Sequence, residues 1–396
     1  MNYRILKAEH LNEMLELAYY AFNQGPENKI QKELKILAFH STVYGAFEKE
    51  RLKSQLLVAR MNVSLHTAEI PMGGVAFVSS YPEVRGSGNI TTLMKRALEG
   101  MRQDGMLLSY LAPFSYSFYR QYGYEHVFDQ TTYEMNKNDL PQFSNVKGTM
   151  ERVRSQNEAK QVRDLYQERY THSVGPLKRE EWIWELKWEQ HKDQKAALYF
   201  DKEGSPAGYI LYHFSAREES VFTIDEMVYL SHEAFKGLWQ FVAAHISSFE
   251  TFSYTTGINE KLTDLFKDPT MKQSLKPSMM ARIVDFPAFI LHYPFLERAQ
   301  AVFYLEVKDD FAKWNEGLWK VELRPTGNKI EKVAIRETVD PSKIISGTIQ
   351  HWTCFFMQSR DSKKMHVHHQ IEAHEKIFQE LVDRMPDGDP ELYDDF

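Results

Sequence analysis

The chain has 396 residues, 43% hydrophobic and 26% charged, and Lys+Arg 48 against Asp+Glu 55 leaves a formal charge of −7. That length exceeds one ordinary core and suits two or three domains, and the composition is that of a folded, soluble chain rather than a disordered or membrane-embedded one. The acidic balance argues against a nucleic-acid binder. The one cysteine, Cys354, excludes an intrachain disulfide and thiolate zinc clusters and points to the cytoplasm; no secretory leader and no membrane-length apolar run is expected.

In chain order, a short strand from Tyr3 to Leu6 precedes a helical run carrying Leu11, Met14, Leu15, Ala18, Tyr19 and Phe22 at three- and four-residue spacings. Val43–Phe47, Gln55–Ala59 and Gly74–Val78 read as successive strands. The turn Arg85-Gly86-Ser87-Gly88 runs into an amphipathic helix with Ile90, Leu93, Met94, Ala97, Leu98 and Met101 on one face, and Leu107–Leu111 restarts as a strand. Pro141 and the polar stretch to Gly148 mark a boundary.

The second block repeats this order: a helix from Ala159 to Tyr170, a helical segment with Trp182, Trp184 and Trp188, a hairpin turning at Asp201–Gly204, a strand from Phe222 to Tyr229 and a helix from Phe235 to Phe249. Where the first block has its glycine turn, the second has Ser231-His232-Glu233-Ala234, which is not expected to cradle a phosphate. The third block opens on a helical segment. Strands follow at Ala301–Val307, Gly317–Leu323 and Lys329–Arg336; Ser342–Gly347 and helical runs from His351 and Ile371 complete an α+β pattern, before an extended acidic end from Asp387 to Phe396.

The residues best suited to chemistry surround that glycine turn. Glycines permit tight torsions, successive amides wrap an anion, and the following helix points the positive end of its dipole there, so the turn fits a pyrophosphate. It is neither a P-loop, lacking Gly-Lys-Ser/Thr, nor the three-glycine dinucleotide fingerprint. Downstream comes Phe118-Tyr119-Arg120-Gln121-Tyr122-Gly123-Tyr124. With Arg85-x-x-Gly88-x-Ile90 before it, the chain resembles the GNAT superfamily of acyl-CoA-dependent N-acyltransferases, departing from its usual pattern where Ile90 replaces a small residue. That departure is similar to the Eis (enhanced intracellular survival) branch of N-acetyltransferases, whose three-part layout the blocks match over essentially the whole length.

The resemblance implies an α+β, α/β architecture of two tandem GNAT-like mixed-sheet domains, the second degenerate, followed by a sterol-carrier-like α+β domain, at 1–145, 146–287 and 288–396. It implies that Val78, Ser79 and Ser80 offer strand-edge backbone to the pantetheine arm and that Arg85, Gly86, Ser87, Gly88, Asn89, Ile90 and Thr91 bind the pyrophosphate mainly through backbone N–H groups. By the same resemblance Phe114 and Ser115 line the acetyl-CoA channel, Tyr119 is the general acid, and the carboxylate of Phe396 is the general base, on a tail that returns to the first domain's site. It implies acetyl-CoA as co-substrate, an amine acceptor such as an aminoglycoside or a lysine side chain, and a homo-oligomer, the hexamer of Eis relatives.

The chemistry is coherent with those roles. An amine must lose a proton to attack the thioester, and a tyrosine of reference pKa ~10 suits protonation of the departing thiolate. A free α-carboxylate, at ~3.3–3.7, is a weak base toward an ammonium unless burial or a relaying water helps it. Glu391, Asp394 and Asp395 add negative charge near a cationic acceptor. No metal is expected: His366, His368, His369 and His374 read as a solvated face, with alternation bringing His366 and His368 to one side. Trp182, Trp184 and Trp188 read as helix packing, and Cys354 as a buried thiol. Two rival readings are a lipid or sterol carrier acting through the third block, and a scaffold whose acetyltransferase site has decayed, against which the retained Gly86, Gly88 and Tyr119 argue.

Overall fold

Strands buried on both faces build the centre of the first sheet, where Ser54 through Ala59 are buried in succession. In a computed structural model that describes residues 1–25, 29–153, 156–216, 220–258, 260–265 and 270–396, the chain begins with β1 (Asn2–Ile5), α1 (Leu11–Phe22), α2 (Ile30–Phe39), β2 (Ser41–Glu48), β3 (Arg51–Leu65), β4 (Ala68–Ser80), α3 (Asn89–Gln103), β5 (Leu108–Leu111), α4 (Tyr116–Arg120) and β6 (Glu125–His126). Leu93, Met94, Ala97, Leu98 and Met101 are buried along α3, the face their spacing selects, and form one core with Leu56, Val58 and Val75 of β3 and β4. Each large apolar side chain sealed there contributes about 1.5–3 kcal/mol, and Leu98→Ala would cost about 2–5 kcal/mol.

The chain continues through β7 (Asp129–Asn136), β8 (Thr149–Arg152), α5 (Gln156–Tyr170), β9 (Val174–Leu177), α6 (Glu181–Gln190), β10 (Lys195–Phe200), β11 (Pro206–Ala216), β12 (Ser220–Tyr229), α7 (His232–Ala243), β13 (Thr251–Gly257) and β14 (Lys272–Pro277). It closes with β15 (Met280–Ile283), α8 (Phe286–His292), β16 (Ala301–Lys308), β17 (Gly317–Leu323), β18 (Lys329–Lys332), β19 (Ile344–Thr348), α9 (Ile349–Phe356), α10 (Ser362–Val367), β20 (Ile371–Glu372) and α11 (Glu375–Val382). These fall into two compact units. One holds Met1–Phe128, Ser278–Pro390 and Asp394–Phe396; the other holds Asp129–Pro277 and Glu391–Tyr393.

Sheet order exposes a feature that periodicity could not show. In the first unit the strands run β1-β2-β3-β4-β5-β15-β6, and in the second β14-β7-β13-β12-β11-β10-β8. The late strand β15 thus pairs antiparallel with both β5 and β6, while β7, from the early part of the chain, pairs antiparallel with both β13 and β14. Each sheet is completed by a strand from the other repeat's stretch of sequence. A separate sheet, β18-β17-β16-β19-β20, carries the last part of the first unit.

Several expectations need correction. Helix α2 was not anticipated, although Ile30, Leu34 and Leu37 are buried at helical spacing. The helix expected from Phe235 to Phe249 starts three residues earlier, capped by Ser231, and ends at Ala243. The strand expected to Arg336 stops at Lys332, and Arg336 turns its guanidinium to Glu306 at 2.6 Å. Ile371 begins a strand rather than a helix, because its side chain fills the space above Gly347 of β19 (2.7 Å to an added β-carbon). Alternation of His366 and His368 fails as well: both belong to the α10 turn, and His366 stacks on Phe378 at 5.0 Å.

Candidate active site

The first unit opens where β4 and β5 part. The two strands are in parallel register only from Met72↔Leu108 to Val75↔Leu111, so the β5-facing edge of β4 beyond Val75 has no strand partner there. On its other edge β4 is bulged against β3: Leu57 pairs with Ala76 but Gln55 with Ser79, and Phe77 takes up the slack with a left-handed φ of 50°. A non-glycine residue held in that region costs about 1–3 kcal/mol, strain of the kind that gathers at working sites. The bulge re-aims Val78, Ser79 and Ser80 into a cavity of about 690 Å³.

The glycine turn forms the opposite end. Gly86 and Gly88 have φ of 78° and 79°, torsions that any β-carbon would strain, and a β-carbon at either would meet only open space. Gly88 is the N-cap of α3 and supplies no side-chain cap, so the first-turn amides stay available to an anion at the positive end of the helix. Arg85, Gly86, Gly88, Asn89, Ile90 and Thr91 line the cavity together with Val78, Ser79, Ser80 and Phe114.

Ser87 and Ser115 do not join that lining. The Ser87 hydroxyl donates to Val84 O at 2.6 Å, and the Ser115 hydroxyl caps α4 by accepting from Phe118 N at 3.4 Å. Asn89 reaches the cavity by its backbone alone, since its amide side chain is buried, donating to Ser54 Oγ at 3.4 Å and accepting from Tyr3 at 3.1 Å. Lining residues that the sequence reading missed are Ala21, Phe22, Val84, Phe118, Gln121 and Tyr122. The exposed aromatic end of α1, where Phe22 lies edge-on to Phe77 at 5.6 Å, was the available signal.

Tyr119 sits just behind the wall, 2% exposed, with its ring edge-on to Phe114 at 5.4 Å and Phe118 at 5.2 Å. Burial, then the neighbouring Tyr124 and Tyr122 hydroxyls, push its phenol well above the ordinary tyrosine range. The rest of its motif is structural. Gly123 ends α4 with φ 83° and leaves room for Arg282, which is fully buried, donates to Tyr122 O and pairs with Asp309 at 2.6 Å. The Tyr124 and Ser109 hydroxyls share a 2.7 Å hydrogen bond, and Ser109 donates to Gly73 O at 2.8 Å, tying the motif to β4.

The tail is ordered rather than frayed. Leu392 is 1% and Asp394 6% exposed. Phe396 lies within the first unit, its ring against Gly74 of β4.

Elsewhere, Cys354 is buried and its thiol is pushed up to about 11 by burial, which suits packing and not nucleophilic attack. Trp184 packs with Tyr166, and the Arg179 guanidinium lies over both rings. Among the described residues no group of three His, Cys, Asp or Glu could hold a metal ion, and no helix is long and apolar enough to cross a membrane.

Comparison with known proteins agrees with this geometry. Residues 2–127 and 175–283 each match the acetyltransferase (GNAT) domain family, and residues 286–393 match the sterol carrier protein domain family. A conserved protein of unknown function from Enterococcus faecalis, described as a probable N-acyltransferase, is 33% identical with a TM-score of 0.93, covering 100% of this chain and 99% of that one. Eis1 from Mycobacterium abscessus shares the fold at 16% identity, with a TM-score of 0.81 and 100% of both chains covered. An uncharacterized N-acetyltransferase of Streptomyces avermitilis is 25% identical over 290 residues, 69% of each chain. With two acetyltransferase repeats, a sterol-carrier-like third part and one repeat that keeps an open cleft beside an uncapped helix, the chain belongs to the GNAT acyltransferases and has the Eis-like three-part fold.

Proposed function

We propose that this protein moves the acetyl group of acetyl-CoA directly to a primary amine on a polar, cationic acceptor, an aminoglycoside-like molecule or a lysine side chain. The observation that carries this reading is the pairing of an unpartnered β4 edge beyond Val75 with the free amides at Gly88, the two ends of one cavity. The residues present fit the co-substrate. Backbone at Val78–Ser80 offers strand-like hydrogen bonds to the amides of a pantetheine arm, and the turn from Arg85 to Thr91 offers amides and helix dipole to a pyrophosphate.

In this reading the main-chain carboxylate of Phe396 accepts the ammonium proton, directly or through water. The neutral amine then attacks the thioester carbonyl carbon. When the tetrahedral adduct collapses, the C–S bond breaks, Tyr119 gives its proton to the leaving sulfur, and the second proton shed by the nitrogen returns through water to the phenolate, so that the products are an N-acetyl amine and the free thiol, with the ammonium proton passing from the carboxylate to solvent. The raised Tyr119 phenol keeps that proton available at neutral pH. The acidic residues Asp394 and Asp395 favour a cationic acceptor.

The test is thiol release from acetyl-CoA against a panel of aminoglycosides, polyamines and lysine peptides, with and without Phe396. Acceptor-dependent release that collapses on removing Phe396 supports the reading. Release from no amine overturns the acceptor class, and undiminished turnover without Phe396 overturns the base.

A further inference from the structure

Glycine inside a strand is disfavoured by roughly 0.5–1 kcal/mol relative to alanine. Two in succession on β4, Gly73 and Gly74, therefore need a reason. Backbone torsion supplies none, because neither has the positive φ that Gly86 and Gly88 have. Space does. A β-carbon on Gly73 would collide with Met101 Sδ, from the core that α3 covers. On Gly74 it would stand 2.8 Å from Phe396 Cε2, 3.1 Å from Phe396 Cδ2 and 3.2 Å from Met61 Sδ. The strand is thinned on both faces, on one for the core and on the other for the tail.

We propose that Gly74 is a positioning residue for the active site, its missing side chain forming the seat that holds the Phe396 ring against β4. The consequence for catalysis rests on the reading of Phe396 given above; the seat itself does not. Tyr110 is the register partner of Gly74 on β5 and presents its side chain to the same face of the sheet, where it is fully buried. Met61 Sδ borders the same space above Gly74. A ring seated among these neighbours fixes where the main chain of Phe396 lies along β4, the strand that turns into the cavity a few residues later at Val78. The tail is thereby given one address, and the group it carries is placed by packing of the ring.

The experiment compares Gly74→Ala, Phe396→Ala, the double variant and a chain lacking Phe396. It reads kcat and KM for acetyl-CoA, thermal midpoint, and hydrogen exchange of the peptide holding Asp394–Phe396. Gly74→Ala is expected to speed exchange in that peptide and to lower kcat by about 10–100-fold with KM for acetyl-CoA unchanged. Phe396→Ala, which keeps a main-chain carboxylate but no ring, should lower kcat to a similar degree, and the double variant should lose no more than either single variant, because both substitutions act through one contact. In the chain lacking Phe396, Gly74→Ala should cost nothing further. Should Gly74→Ala fold poorly, Phe396→Ala alone must loosen the same peptide. Unchanged exchange in both single variants, or losses that multiply in the double variant, overturns the seat. Faster exchange in Gly74→Ala together with full turnover in the chain lacking Phe396 supports the seat and overturns only the base.

Discussion

The two acetyltransferase repeats handle the same two structural problems in opposite ways. Each has a bulged strand and, after it, a helix whose first amides have no partners in the helix. In the first repeat the bulge lies at Phe77 and the helix is entered through Gly88, which caps nothing. In the second, the β11–β12 register slips between Leu211 and Tyr212, leaving Asp225 as the extra residue, and the Ser231 side chain accepts from Ala234 N at 3.1 Å. Beyond the bulge the first repeat presents Val78–Ser80 to a cavity. The second buries Glu226, gripped by Arg179 at 2.9 and 2.6 Å and approached by Lys187 at 3.3 Å and by the Tyr209 hydroxyl. One repeat withholds partners and thereby has donors to offer a ligand; the other satisfies these particular groups internally.

Variants can break that contrast at four levels. The largest effect is expected from Tyr119→Phe, which should lower kcat by about 10²–10⁴-fold while sparing acetyl-CoA binding. Tyr209→Phe in the second repeat should leave turnover unchanged, and a fully active Tyr119→Phe would remove the acid from the site. Because burial raises the Tyr119 phenol, its loss as an acid should appear in kcat only above pH ~10, and a Tyr119-dependent limb at lower pH would contradict its protected position.

Next, Glu226→Gln strands the Arg179 and Lys187 charges and should cost about 3–5 kcal/mol in urea unfolding of the second unit. Burial alone would raise the Glu226 carboxyl, yet Arg179 and Lys187 hold it down at about 2. Its contribution should therefore be complete above its ordinary 4.5 and fade as pH falls toward 2; stability indifferent to that window would argue against the pair. Third, Gly88→Ala forces a β-carbon into left-handed backbone at about 1–2 kcal/mol and should raise KM for acetyl-CoA several-fold. Last, Ser231→Ala removes the corresponding cap of the second repeat, at about 1 kcal/mol of stability and with no change in that KM.

Local chemistry was the legible part of the sequence. The uncapped glycine turn, the Tyr119 motif, the amphipathic face of α3 and the Asp201 hairpin turn, where Asp201 Oδ1 accepts from Glu203 N and Ser205 N, all follow from residues within a few positions of each other. Illegible features depend on distant partners. Nothing near Gly74 announces Phe396, and nothing near Ile371 says that Gly347 will receive it. Ser87 and Ser115 each commit the hydroxyl to neighbouring backbone, Ser87 donating to Val84 O and Ser115 accepting from Phe118 N, a local alternative to a ligand that spacing does not decide. The Phe77 bulge was hidden because a left-handed phenylalanine goes against local preference and persists only through the register of β3.

The traded strands β7 and β15 bear on how the chain is made. As it leaves the ribosome, β5 and β6 are complete by residue 126, but the strand that joins them starts only at Met280. At ~5–20 residues per second the interval is about 8–30 s, during which two strand edges stand open. Synthesis of the first repeat alone, at any length short of β15, leaves the same edges unclosed. The order of the chain therefore ties the two repeats together in folding: a truncation that stops short of Met280 removes the strand that closes the sheet of the first.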